Sequence, residues 1–321
     1  MASRTLASSP SILPLYARAA APMIPGASLL PFIPGGGGEI PDLDLKLEGV
    51  VADPAMVSAY AKVCGFALRD SLPVTYPHVL AFPLHMAVMA DGGFPFGAVG
   101  LVHVENRIEQ RRRIGIGEEL TIRVRPTKLA PHPKGRIFSL LTEVTVDDEL
   151  AWKSVSTMLR RGRPGAAVAD SSAMRKEVRP QEVGSAGPVA AHLADAPASA
   201  EWKLGGDLGR RYAAVSGDRN PIHMHALTAK PLGFAGAIAH GMWTKARCLA
   251  TLDSRLSDAF AVDVRFRKPI VLPAHVEFAS SAEGDDIAFA VRDAKRQTPH
   301  LDGRVTPLEP NSRAKPGRKS K

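Results

Sequence analysis

Hydrophobic and polar positions along the chain run through the same order twice, helical patterns first and alternating ones afterwards. In the first round Asp53-Pro54 opens a helix, with aspartate as N-cap and proline in the first turn, running through Tyr60 to about Val63. His78 to Met89 is apolar almost throughout and has the length of a buried helix, stopped by Gly92-Gly93. After Gly97 the period changes. Leu101 to Ile108, Glu119 to Val124, Ile137 to Val146 and Leu150 to Leu159 read as strands separated by turn residues. In the second round Asp207 is placed to cap a helix containing Leu208, Tyr212 and Val215. The glycine-punctuated stretch Phe234 to Leu252 then supplies a buried helix. Strands follow at Phe260 to Phe266, Ala274 to Ser280, Ile287 to Val291 and Leu301 to Val305. Helices followed by antiparallel strands in each round describe an α+β architecture.

The rounds also share words. Tyr60-Ala-Lys-Val-Cys-Gly65 matches Tyr212-Ala-Ala-Val-Ser-Gly217 in four of six places at an offset of 152, and the same element order follows both copies. That is the mark of a duplicated unit. Residues 162–200, rich in Ala, Pro, Gly and Ser, form the linker. The resulting plan is an N-terminal tail over 1–44, a first unit over 45–161, the linker, a second unit over 201–307 and a basic disordered tail over 308–321. A chain of 321 residues accommodates two such units. Met1 to Pro34 is apolar in patches, but Pro10, Pro14, Pro22 and Pro25 break any signal-peptide core, so it reads as a tail or as cover for the first unit.

Charge and cysteines change this picture little. The net charge of +9 is partly gathered in Arg313 to Lys321, a solvated end with no aromatic residues interleaved, which speaks against nucleic acid. Basic rims also raise encounter rates with anionic substrates. No run of 18 apolar residues is present to span a membrane. Cys64 and Cys248 lie far apart without metal-finger spacing, which fits a reduced, cytoplasmic setting.

The candidate chemistry is concentrated between Gly217 and His223, where a glycine, a carboxylate, an amide, a proline and an imidazole stand within seven residues. Asp218 and His223 are candidates for handling a proton between them, with Asn220-Pro221 as the bend that holds them. A plain turn would use the same Asp, Asn and Pro. His223-Met-His225 has the look of a metal pair, but no further ligand cluster accompanies it, so no metal is expected. His85 reads as a core histidine, Cys248 as packing, Met86 and Met89 as core or as the lining of a tunnel, and Glu105-Asn106-Arg107 as charge pairing on a strand. At the repeat offset Asp218 corresponds to Phe66, Asn220 to Leu68 and His223 to Ser71. The first copy therefore lacks the polar residues and is expected to supply an apolar wall.

Tyr212-Ala-Ala-Val-Ser-Gly-Asp-Arg-Asn-Pro-Ile-His223 is similar to the signature of the R-specific enoyl-thioester hydratases, the MaoC-like dehydratase family. Phe234-Ala-Gly-Ala-Ile-Ala-His-Gly-Met242 resembles the start of that family's central helix. Leu72-Pro-Val-Thr-Tyr-Pro77 and Val104-Glu-Asn-Arg107 resemble the inactive first half of its two-domain members. The resemblance covers about residues 45–307. It implies a double hot-dog fold, each half an antiparallel sheet wrapped around one helix (about His78 to Met89 and His240 to Leu252). It implies reversible hydration of a trans-2-enoyl thioester to the (3R)-3-hydroxyacyl thioester, on coenzyme A or acyl carrier protein, with no cofactor. Asp218 and His223 would be catalytic, activating the water. Ser216, Gly217, Asn220, His240 and Gly241 would shape the substrate site, with the Gly241 N–H as oxyanion donor at a helix start. Monomer and homodimer both fit a fold that already contains its own pairing. A hot-dog thioesterase and a non-catalytic acyl-thioester binding protein are the competing readings. Phe66 and Leu68, if they face the substrate, would widen the slot for longer acyl chains.

Overall fold

The computed structural model describes residues 2–21, 38–162, 193 and 196–309. The first half comprises β2 (Leu43–Val50), α2 (Pro54–Cys64), α3 (Tyr76–Met89), β3 (Val102–Gln110), β4 (Leu120–Pro126), β5 (Ala130–His132), β6 (Gly135–Val146) and β7 (Glu149–Arg161). It is preceded by β1 (Ala2–Leu6) and α1 (Ile12–Ala20). The second half comprises β8 (Ala200–Leu204), α4 (Leu208–Ser216), the short α5 (Pro221–Met224) and α6 (Ala226–Ala229), and α7 (Gly241–Leu252). Strands β9 (Phe260–Phe266), β10 (Ala274–Glu283), β11 (Asp286–Asp293) and β12 (Pro299–Pro307) complete it. The linker expected over 162–200 lies mostly outside the described residues, as does the basic tail from residue 310.

All the described strands belong to one sheet, in the order β1-β2-β4-β6-β7-β3-β9-β12-β11-β10-β8, with β5 paired to β6. Read outward from the centre, β3-β7-β6-β4-β2 and β9-β12-β11-β10-β8 follow the same rule, so the duplication visible as shared words is also a duplication of topology. The joint is the antiparallel pairing of β3 with β9, in register from Glu105 opposite Arg265 to Gln110 opposite Phe260. Across it Arg107 pairs with Asp263, and Arg265 Nε stands 3.3 Å from Glu105. This is the double hot-dog, and the charge pairing expected of Glu105 and Arg107 is present.

Each half of the sheet buries one helix, because only a long apolar segment can fill that face while keeping its own backbone bonded. Helix α3 buries Ala81, Leu84, Met86 and Val88, together with the polar His78 and His85. Helix α7 buries Trp243, Ala246, Cys248 and Leu249, and also Lys245. The Lys245 ammonium reaches the underside of the joint, donating to Asn106 Oδ1 (2.6 Å) and to the carbonyls of Asn106 and Val262 (3.1 Å each). The helices α2 and α4 pack together, and the two tyrosines of the repeated word, Tyr60 and Tyr212, meet at 6.0 Å between ring centroids.

Local chemistry sets several boundaries. Asp53 Oδ1 accepts the Ala55 N–H at 2.8 Å and Pro54 opens α2, as the sequence indicates. Asp207 occupies the corresponding N-cap of α4 but makes no side-chain cap bond, its backbone being helical rather than extended. The stretch Phe234 to Leu252 is helical only from Gly241; Ile238 instead bridges Val271 in extended form. The halves differ most between their paired helices. Residues 65–75 make a short link, whereas 217–240 make a long excursion carrying α5 and α6.

Of the proline-broken opening, the described residues 2–21 lie as cover, and what they cover includes the second half. Strand β1 adds to the outer edge of the first half, parallel to β2, with Ala2 opposite Leu43 and Leu6 opposite Leu47. Helix α1 then lies against α3 and brings Tyr16 to Asp218.

Candidate active site

The excursion 217–240 is held in place by backbone chemistry before any side chain takes part in a reaction. Gly217 ends α4 in the left-handed conformation (φ 74°), which favours glycine. Ser216 Oγ accepts the Asp218 N–H at 3.2 Å. Asn220 caps α5 from outside, its Oδ1 accepting the Ile222 N–H at 3.5 Å, and Pro221 fills the first helical position. The carbonyl of His223 then presses against α4 at Gly209, where a Cβ would come within 1.9 Å of the oxygen. Only glycine admits that approach.

These constraints bring Asp218, His223 and His240 together, with one oxygen or ring nitrogen from each lying within 4.8 Å of the others. Asp218 is half-buried; His223 and His240 are buried, and their rings stack at 3.6 Å between centroids. His223 Nδ1 lies 2.8 Å from the Ile238 carbonyl. A carbonyl only accepts, so Nδ1 carries the proton and Nε2 keeps its lone pair. By the same argument His240 donates Nε2–H to the Asp218 carbonyl at 3.0 Å. Burial pushes His240 down to about 3, helped by His223 beside it, and burial likewise holds His223 below its ordinary value. Burial acts to raise Asp218, but the positive charge that His240 and His223 take up in acid, with the Asn220 N–H and the Tyr16 hydroxyl, outweighs it and leaves the carboxyl below its usual range. The site at neutral pH is therefore one carboxylate beside two neutral imidazoles.

The three groups have the donor types of a metal centre. With its proton on Nε2, His240 has only Nδ1 to offer as a ligand, and the nitrogen nearest the Asp218 carboxylate is not one in this tautomer. His225 is exposed and outside the group.

Asp218, His223, His240 and Gly241 open onto a cavity of about 430 Å³ between the halves. The amide of Gly241 opens α7, where the first turn has no intrahelical acceptors and the helix dipole is positive. Its missing side chain is needed by packing as well, since a Cβ would meet the Phe266 ring at 3.0 Å. Ser216 and Asn220 also line the cavity; Gly217 shapes the turn behind it.

The expected apolar wall is corrected in two ways. Phe66 lines a separate small hollow and Leu68 is 72% exposed, so neither residue faces the cavity. The short 65–75 link turns them away from it. The first half instead contributes Val79, Phe82, Met89, Leu140 and Met158, interrupted by His78, His85 and His103. His85 Nε2 is satisfied by Thr142 Oγ1 at 2.8 Å, in keeping with a core histidine. Cys248 is fully buried in α7, in keeping with packing. Sequence reasoning did not find His78, His103, Gly209, Lys245 or Tyr16, because each acts on partners far away in the chain and none carries a local pattern.

Comparison with known proteins agrees with this geometry. Residues 196–303 match the family model described as MaoC like domain. The chain is 38% identical over 283 residues to 3-hydroxyacyl-thioester dehydratase X of Mycobacterium tuberculosis, covering 88% of this chain and 95% of that protein. The crystal structure of HtdX from the same organism aligns with a TM-score of 0.70 at 34% identity, over 83% of this chain and all of that one. A MaoC-like dehydratase from Phytophthora capsici shares the fold with a TM-score of 0.65 at 18% identity, over 84% of this chain and 96% of that one. With a relative this similar along most of its length, the chain belongs to the MaoC-like dehydratases.

Proposed function

We propose that the chain catalyses the reversible hydration of a trans-2-enoyl thioester to the (3R)-3-hydroxyacyl thioester. The observation that carries this reading is the convergence of Asp218, His223 and the Gly241 amide on one cavity. The carboxylate and the lone pair of His223 Nε2 are both acceptors, so a water lying between them donates one O–H to each and turns its own lone pair to C3. As the C3–O bond forms, the pair takes one proton from the water and returns one to C2. The C2=C3 electrons meanwhile pass through the thioester oxygen, which the Gly241 N–H stabilises. The two groups share their titration, so the proton belongs to the pair. Dehydration is the reverse path. General acid–base help of this kind is worth ~10²–10⁴-fold. Asn220 and Ser216 hold the segment, and His240 holds the Asp218 carbonyl.

The exposed Lys134, Arg161 and Lys268 lie on the cavity lining, beside an Arg267 paired with Asp302, and form a basic mouth, which fits an anionic thioester carrier, coenzyme A or acyl carrier protein. The buried free thiols of Cys64 and Cys248 fit a cytoplasmic setting. The sheet joint is made within one chain, so a monomer suffices for the fold.

The test is loss of enoyl-thioester absorbance with crotonyl-CoA and a longer trans-2-enoyl-CoA, with product stereochemistry determined. Hydration to the 3R product that collapses in Asp218→Asn and in His223→Ala is the expected result. Release of free thiol instead would assign a thioesterase, and binding of the enoyl thioester without turnover would assign a binding protein.

A further inference from the structure

One group at the site has no part in the reaction just described. Tyr16 stands on α1, 202 residues from Asp218, and its hydroxyl donates to Asp218 Oδ1 at 2.9 Å. The same hydroxyl accepts the backbone N–H of Arg219 at 2.7 Å. An N–H can only donate, so the phenol's single proton is left for the carboxylate. Oδ1 also receives the Asn220 N–H at 3.1 Å. With two donors on Oδ1, the oxygen with capacity to spare is Oδ2, which lies on the imidazole side, 3.8 Å from His240 Nε2.

We propose that Tyr16 is a positioning residue of the active site. Carried there by an N-terminal strap, it occupies one oxygen of Asp218 and thereby presents the other to the reacting water. The strap is tied at both ends. Strand β1 is hydrogen-bonded to the outer edge of the first half, and Leu15 and Tyr16 pack on the main core. Ile12 packs on the turn before Asp218, its Cδ1 lying 2.7 Å from where a Cβ on Gly217 would be. Inert cover needs an aromatic ring at position 16. The pair of bonds made by the hydroxyl needs tyrosine.

The inference rests on the hydratase reading for its kinetic test, and a second readout stands apart from turnover. Besides Tyr16, the titratable groups near the Asp218 carboxylate are Arg219, Tyr212 on α4, His223, His240, His78 on α3 and His103 on β3. None of these changes in Tyr16→Phe. In the full-length protein that variant is expected to lose about 10- to 100-fold in kcat, the range for a hydrogen bond to a charged group, with KM nearly unchanged. The acid limb of its pH profile moves to higher pH, because the lost bond favoured the carboxylate. The Asp218 carboxyl, observed by carbon-13 NMR and assigned with Asp218→Asn, titrates at higher pH in the variant. Tyr16→Ala is expected to lose no less than Tyr16→Phe, so that phenylalanine does not rescue. Wild-type kcat with an unmoved carboxyl in Tyr16→Phe would reduce the strap to packing and overturn the proposal. A rise in kcat would overturn it too, making the strap an obstruction. A wild type without hydratase activity whose Asp218 titration still moves in Tyr16→Phe would sink the reaction and keep the positioning.

Discussion

Neutral histidines in a closed interior make the molecule sensitive to acid for a reason that can be followed group by group. Burial pushes His78 down to about 4 and His240 down to about 3, while in the unfolded chain each titrates at about 6.5. Below that value the unfolded state binds protons that the native state refuses, so stability falls as pH drops from about 6.5 towards the native values. Each such histidine costs about 1.4 kcal/mol per pH unit across that window. Urea denaturation at pH 7 and pH 5 is expected to show the loss, and His78→Gln should flatten it. Gly241 permits a sharper test of the oxyanion donor. Gly241→Ala meets the Phe266 ring but keeps its N–H, whereas Gly241→Pro removes the N–H at a helix position that tolerates proline. The proline variant should lose about 10²-fold more in kcat than the alanine variant in the same assay.

At the scale of elements, legibility followed the range of the interactions. Strands β9 to β12 and helices α2 and α3 were readable because period and punctuation are local properties. So were the partners Asp218 and His223, five residues apart on one bend. The strand β2 escaped although Leu43, Leu45 and Leu47 alternate, because it sits between a glycine-rich joint and a helix cap that dominate the local pattern. The short β8 gave five residues to read. The assignment of Phe66 and Leu68 to the substrate wall failed because an ungapped offset hides the longer excursion of the second half. Gly209 illustrates what no pattern shows: its role is set by a carbonyl on another element. Gly209→Ala would drive a Cβ to 1.9 Å from the His223 oxygen and push α5 off α4. Overpacking of this kind costs ~1–3 kcal/mol, so a lower Tm and at least a tenfold drop in kcat are expected together. Normal turnover in a destabilised Gly209→Ala protein would separate packing from the placement of His223.

Across the whole molecule, a buried lysine stands beneath the joint between halves, its pKa held well below the usual lysine value by burial. Lys245 spends its three protons on Asn106 and on the carbonyls of Asn106 and Val262, below the line where β3 meets β9. Lys245→Met keeps the bulk and leaves buried Asn106 Oδ1 without its donor. At ~1–3 kcal/mol for a buried unsatisfied polar group, the variant should melt several degrees lower. An unchanged Tm would mean that water replaces the ammonium.

The bond from Tyr16 to Asp218 spans 202 residues of sequence, and that separation has a consequence in time. A contact between such distant positions closes a large loop, and loops of that kind close late. A chain emerging from synthesis exposes its tyrosine long before the aspartate exists. On refolding from denaturant, secondary structure should therefore return first and turnover last, with a dead time in which both halves are built and the catalyst is not yet switched on.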